Sequence, residues 1–200
     1  VSVPAKALGG GVLHVWGAGG AGSRVLDCVV KGNAVLPYGL LALQPDGVQV
    51  ARSVFLGFTD VAVRLSDNKA VAYGAATPRI GLVEDLRIDG VSRAVPGASD
   101  GTAEAGLWIG HPVTGGVHRI AVRNVAWSGI ETVNNAWDTT FSDLDVDLSG
   151  PAQAANVGVY LEHYSHRLVF ERFSVRGAAV GFKAEWADPA WGGVAAAHEV

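Results

Sequence analysis

The chain has 200 residues, a formal net charge of −4 and a single cysteine. A mild acidic balance without a basic run excludes nucleic acid as the expected partner. No apolar run reaches the roughly 18 residues of a membrane-spanning helix, and a lone cysteine allows no intrachain disulfide. Glycine, at 27 residues, is roughly twice as frequent as usual, while charged residues at 17% fall below the usual share of about 25%. That combination predicts a turn-rich, all-β chain with a large apolar interior.

In chain order, the apolar run VLHVW (12–16) leads into Gly17-Ala18-Gly19-Gly20-Ala21-Gly22, which matches the dinucleotide-binding spacing GxGxxG. That fingerprint opens a helix and has an acidic residue about 20 positions further on. Pro37 and Tyr38 stand in that region instead, and residues 25–32 alternate like a strand, so the glycines are read as a turn between coils. The strand signal then recurs as VLDCVVKG (25–32), VARSVFLG (50–57), VEDLRIDG (83–90), VHRIAVRN (117–124), FSDLDVDL (141–148) and FERFSVRG (170–177).

One equivalent position in these repeats holds Asp27, Arg52, Asp85, Arg119, Asp143, Arg172 and finally Glu199, with the sign alternating at every step and spacings of 25, 33, 34, 24, 29 and 27 residues. An irregular period with a preserved register is what stacked coils with variable loops produce. Strands in a sheet lie about 4.8 Å apart, and opposite charges directly abreast help by roughly 0.2–1 kcal/mol per pair. The ladder is therefore read as structural. Around it, Cys28, Ser53, Leu86, Ile120, Leu144, Phe173 and Val30, Phe55, Ile88, Val122, Val146, Val175 form two inward rows, with Val29, Val54, Arg87, Ala121, Asp145 and Ser174 outward between them. Cys28 falls on an inward row and is read as a small core residue.

A bend follows the repeats at Gly32, Gly57, Gly90, Asn124 and Gly177, with Leu148 breaking that column just before Ser149-Gly150, and a second strand starts at Gly39, Asp60, Gly106, Gly129, Gly158 and Gly181. A third short strand is expected before each repeat, as in TTF (139–141) and LVF (168–170). Several short strands per turn without an amphipathic helical window argue for a parallel β-solenoid. One domain over residues 1–200 is expected, with about seven coils, the last incomplete, as if both ends of a longer solenoid were missing.

These repeats resemble the right-handed parallel β-helix of the pectate-lyase-like superfamily, over about residues 11–200. The resemblance implies the fold and, by extension, a secreted or cell-surface protein acting on a polysaccharide. It does not select among lyase, glycoside hydrolase and epimerase. The alternative is a non-catalytic binding or structural module such as an adhesin, tailspike or scaffold.

In superfamily members that act on polysaccharides the substrate commonly lies along an exposed sheet, which draws attention to the expected outward row of the second strand: Leu41, Ala62, Trp108, Glu131, Tyr160 and Lys183. Aromatic rings beside carboxylates suit a sugar, whose C–H faces pack on rings while its hydroxyls take polar partners. Glu131, Tyr160, Glu162, His163 and Lys183 are the candidate catalytic residues, with Trp108, His111, Asn134, Asn135, Glu185 and Trp186 as substrate contacts. Glu131 and Glu162 on adjacent coils could act as acid and nucleophile or base in glycoside hydrolysis. Lys183, Tyr160 or His163 could instead remove the C5 proton of a uronic acid. The insertions 91–105 and 149–157 would flank this surface, whereas 66–81 leaves on another side and is read as a connection. No cofactor is expected; a Ca²⁺ ion held by Asp143, Asp145 and Asp147 with neighbouring coils is the weaker alternative, and His163-x-x-His166 makes no convincing zinc spacing.

Overall fold

A computed structural model describes residues 11–16, 20–67, 71, 73–92, 105–150, 156–162 and 165–185. Among these the regular elements are all strands. In chain order they are β1 (Gly11–Trp16), β2 (Arg24–Leu26), β3 (Val29–Lys31), β4 (Tyr38–Leu43), β5 (Gln49–Phe58), β6 (Val61–Leu65), β7 (Leu82–Val91), β8 (Ala105–Ile109), β9 (Val117–Val125), β10 (Ser128–Thr132), β11 (Thr140–Asp147), β12 (Val157–Leu161), β13 (Val169–Arg176) and β14 (Val180–Ala184). They form two parallel sheets. Sheet A runs β1-β4-β6-β8-β10-β12-β14; sheet B runs β13-β11-β9-β7-β5, with β2 and β3 both pairing with β5. From β5 onward each coil gives one strand to sheet B and the next to sheet A, an arrangement compatible with a β-helix-like solenoid.

The charge ladder lies abreast on sheet B, and its backbone adds a feature that charge alone does not reveal. Asp27, Arg52, Asp85, Arg119, Asp143 and Arg172 all have left-handed φ, between 48° and 57°. The cross-strand register passes over them: Ala51 pairs with Glu84 and Ser53 with Leu86, with Arg52 and Asp85 between. Each coil thus carries one extra residue at the same place, as in a bulge. The extra residue lets Val50 and Ser53, or Val117 and Ile120, both point inward. This also explains the expected third strand. TTF and LVF are the N-terminal arms of the sheet B strands, continuous with them through the kink rather than separate elements.

The ladder resolves into forks. Arg52 grips Asp27 through Nε and Nη2, both at 2.8 Å. Arg119 grips Asp85 at 2.6 and 3.0 Å and also reaches Glu84 at 2.6 Å. Arg172 grips Asp143 at 2.7 and 3.0 Å. Each Asp is held by the Arg of the following coil, which keeps the carboxyls of Asp27, Asp85 and Asp143 below their ordinary range. Glu199 lies outside the described residues.

The core lies between the sheets and is filled by Phe55, Phe58, Leu40, Ile88, Leu107, Ile120, Ile130 and Phe141, all 0–1% exposed. Both predicted inward rows face it except at Phe173, which is 40% exposed in the last described coil, and Cys28 packs at its margin. The glycines opening the sheet A strands sit where that sheet approaches sheet B. A Cβ on Gly106 would lie 2.6 Å from the Gly129 carbonyl oxygen and 2.7 Å from Val122 Cγ1.

The same small-residue column corrects one expected register. Tyr38 pairs with Val61 and Leu40 with Val63, so Ala62, fully buried in the core, occupies the slot that glycine fills in β4, β8, β10, β12 and β14. Asp60 precedes the strand. The outward row therefore contains Arg64 where Ala62 was expected.

Candidate functional site

Across sheet A the registered row reads His14, Leu41, Arg64, Trp108, Glu131, Tyr160 and Lys183. Its expected exposure is not found in the middle coils: Leu41, Trp108 and Tyr160 are 6–7% exposed and Glu131 is 0% exposed. Tyr38, Leu41, Val61, Ala105, Trp108 and Val133 form a second apolar cluster there, distinct from the main core. Ionisable groups are thus embedded in an apolar layer.

The Arg64 guanidinium lies over the Trp108 ring at 4.6 Å and near Tyr38 at 5.8 Å, a cation–π arrangement, and donates from Nη1 to the Tyr38 hydroxyl at 3.3 Å. Burial, together with a hydrogen bond to Asp60, raises the Tyr38 phenol to about 12.

Two strands on, Glu131 Oε2 accepts from Ser128 Oγ at 2.6 Å, the pair being set three residues apart on β10. Burial raises the Glu131 carboxyl to about 8; the Glu162 and Asp60 charges add to the rise, while Ser128 and Arg64 oppose it. Three adjacent strands each carry a buried polar atom without a hydrogen-bond partner: Arg64 Nε, Trp108 Nε1 and Glu131 Oε1. Unsatisfied buried groups are uncommon in folded proteins and call for a ligand, a solvent molecule or a functional reason.

The later coils differ. The Tyr160 hydroxyl donates to Glu185 Oε2, and burial followed by that contact pushes the phenol above its ordinary range. Lys183 Nζ lies 4.8 Å from the Tyr160 ring centroid and pairs with Glu185. Glu162 follows β12, its amide donating to the Thr132 carbonyl at 2.8 Å. Glu131, Tyr160, Glu162, Lys183, Glu185 and Trp108 are therefore brought to one face. His163 and Trp186 lie outside the described residues, as do 93–104 and 151–155, the greater part of the expected flanking insertions.

His111, Asn134 and Asn135 sit elsewhere, past the ends of β8 and β10. Described residues of the segment 66–81, which was expected only to connect, contact them. His111 Nδ1 is 2.8 Å from Thr77 Oγ1 and its Nε2 is 3.2 Å from Asp67 Oδ1. Asn135 Oδ1 accepts from the Val71 amide at 2.9 Å. Tyr73 packs edge-on against Trp137 at 5.2 Å, while Asn134 takes a left-handed turn conformation at φ 56°. His111 and Asn135 are both 1% exposed, so their polar groups engage this segment.

Arg64 and Ser128 were not among the expected site residues. The column Gly39, Ala62, Gly106 contains the signal for Arg64, because aligning on the smallest residue rather than on Asp60 places it abreast of Trp108. The acidic strand is engaged by guanidinium groups: Asp145 with Arg123 and Arg176 at 3.0 and 2.8 Å, and Asp147 with Arg123 at 3.0 Å. Among the described residues no group of three or more His, Cys, Asp and Glu is arranged to hold a metal ion. No family model, curated protein or solved structure matches the chain.

Proposed function

We propose that this protein is a carbohydrate-active, right-handed parallel β-helix of the pectate-lyase-like kind, secreted or at the cell surface, handling a polysaccharide at the outer face of sheet A. The observation that carries the reading is Glu131, a carboxyl raised to about 8 in a row with Arg64, Trp108, Tyr160 and Lys183 on neighbouring strands. A carboxylic acid kept protonated at neutral pH is the form that can give a proton to a glycosidic oxygen. Glu162, whose charge already acts on Glu131, is the partner carboxylate for water or for the anomeric carbon. Tyr160 is a poorer base than expected because burial and Glu185 both favour its neutral form, which tilts the reading from elimination towards hydrolysis. No resident cofactor is part of this scheme.

A second reading, a non-catalytic binding or structural module, is favoured by the complete burial of Glu131, since a polymer reaches that carboxyl only if the covering layer moves. A polysaccharide panel scored for reducing-end release, for unsaturated product absorbance and for binding separates them. Reducing-end release that is lost in Glu131→Gln while binding persists supports hydrolysis. Binding without turnover supports the module, and neither binding nor turnover on any glycan ends the carbohydrate reading.

A further inference from the structure

Asp67 and Thr77 bring a carboxylate and a hydroxyl to opposite nitrogens of the His111 imidazole, away from the sheet A row. We propose that Thr77, His111 and Asp67 form an acyl-transfer site for a small carboxylic ester, with Thr77 as nucleophile, His111 as its base and Asp67 as a positioning residue. The contacts are Thr77 Oγ1 to His111 Nδ1 at 2.8 Å and His111 Nε2 to Asp67 Oδ1 at 3.2 Å. The second is close without full hydrogen-bond alignment, a looseness common in unliganded catalytic sites.

Proton placement follows from the partners. An ionised carboxylate only accepts, so the nitrogen facing Asp67 carries the ring proton in the neutral imidazole. Nδ1 then holds the lone pair, and the Thr77 hydroxyl must be the donor. The ring is 1% exposed, and burial lowers its pKa while Asp67 partly restores it, so the base is neutral and ready at pH 7. Thr77 is only partly buried, unlike the enclosed ring of His111. A second hydroxyl–imidazole pair shows the opposite layout. Ser142 Oγ lies 2.7 Å from His118 Nδ1, and His118 Nε2 lies 2.8 Å from the Gly115 carbonyl. There the hydroxyl is the buried member, at 4% exposure, and no carboxylate orients the ring, so that pair lacks both access and orienter.

In the reaction the Thr77 oxygen forms a bond to the ester carbonyl carbon as its proton passes to His111 Nδ1. The tetrahedral intermediate collapses, the bond to the leaving alkoxy oxygen breaks, and the imidazolium protonates that oxygen. Water, deprotonated by the same nitrogen, then releases the acid and restores the Thr77 hydroxyl.

The test uses p-nitrophenyl acetate on the intact chain, with peptide mapping of the acetyl adduct and thermal melts of each variant. An adduct on Thr77, lost in Thr77→Val, kept in Thr77→Ser and slowed about 100-fold or more in His111→Gln, supports the proposal. Asp67→Asn should also move the acid limb of the labelling-rate profile to lower pH, because Asp67 favours the imidazolium; a structural clamp would not move it. If His111→Gln fails to melt cooperatively, the Thr77→Val and Thr77→Ser pair decides. Folded protein with no adduct on Thr77, labelling at lysines alone, or equal labelling in folded His111→Gln would overturn it and leave the trio as a clamp for the segment.

Discussion

Replacing Glu131 with Gln should raise stability at alkaline pH and flatten its dependence on pH. The native carboxyl titrates at about 8 against 4.5 for an ordinary glutamate, so between those values the native state keeps a proton that the unfolded chain has lost. Stability then falls as pH rises, with a slope approaching about 1.4 kcal/mol per pH unit. The contribution is fully present below about 4.5 and is lost by about 8, for a total of at most about 5 kcal/mol. The glutamine is nearly isosteric, can accept from Ser128 through its carbonyl oxygen and has no charge to bury. Urea denaturation of both proteins at pH 5, 7 and 9 measures the effect, and the difference between the two curves cancels groups such as His111, whose lowered pKa gives the opposite slope. Wild type should lose stability relative to Glu131→Gln on going from pH 5 to 9. Parallel pH profiles for the two proteins would refute the argument, because they would mean that Glu131 is solvated or already ionised in the native state.

Arg119→Asp places a carboxylate between Asp85 and Asp143 and beside Glu84, and should cost about 0.5–1 kcal/mol more than Arg119→Ala in denaturant titrations; equal losses would count against the ladder. Arg119→Gly loses the same fork but relieves the left-handed φ of 54°, so it should be more stable than Arg119→Ala by about 1 kcal/mol, and a less stable glycine variant would contradict the kink. Gly106→Ala forces a methyl against the Gly129 carbonyl and Val122 and should lower stability by about 1–3 kcal/mol; a neutral effect would show that sheets A and B are less closely apposed at that corner.

The stacking of the coils was legible because the signals repeat. Charge alternation, inward apolar rows and small residues agree in several coils, and each error in one coil is checked by its neighbours. The left-handed kink was hidden because Asp and Arg were read for charge. A kink shared by every coil leaves the cross-coil register intact, so sequence periodicity does not report it. Arg64 was missed because Asp60 resembles a turn residue; from β4 onward the packing slot beside sheet B holds only Gly or Ala, a steric criterion stricter than turn propensity. Burial of the sheet A row was illegible for a different reason. Alternation says which side of a strand a residue occupies, but not whether that side meets solvent. His111 and Asn135 were grouped with the row by sequence nearness, whereas their partners Thr77 and Val71 come from a segment 34 and 64 residues away.

The outer surfaces of the two sheets differ in how their charges are resolved. On sheet B, every described ladder carboxylate has a guanidinium fork from the next coil, in solvent, where such pairs contribute little individually but penalise a slipped register. On sheet A, Trp108 and Glu131 are buried and Arg64 is half-buried, and each retains an unpartnered buried polar atom. An apolar replacement of similar volume would remove the desolvation cost at each of the three positions. The Arg64–Trp108 stacking and the Ser128 bond to Glu131 offset only part of that cost. On the proposed reading, the hydroxyls of a polysaccharide are the partners that these atoms lack in the free protein.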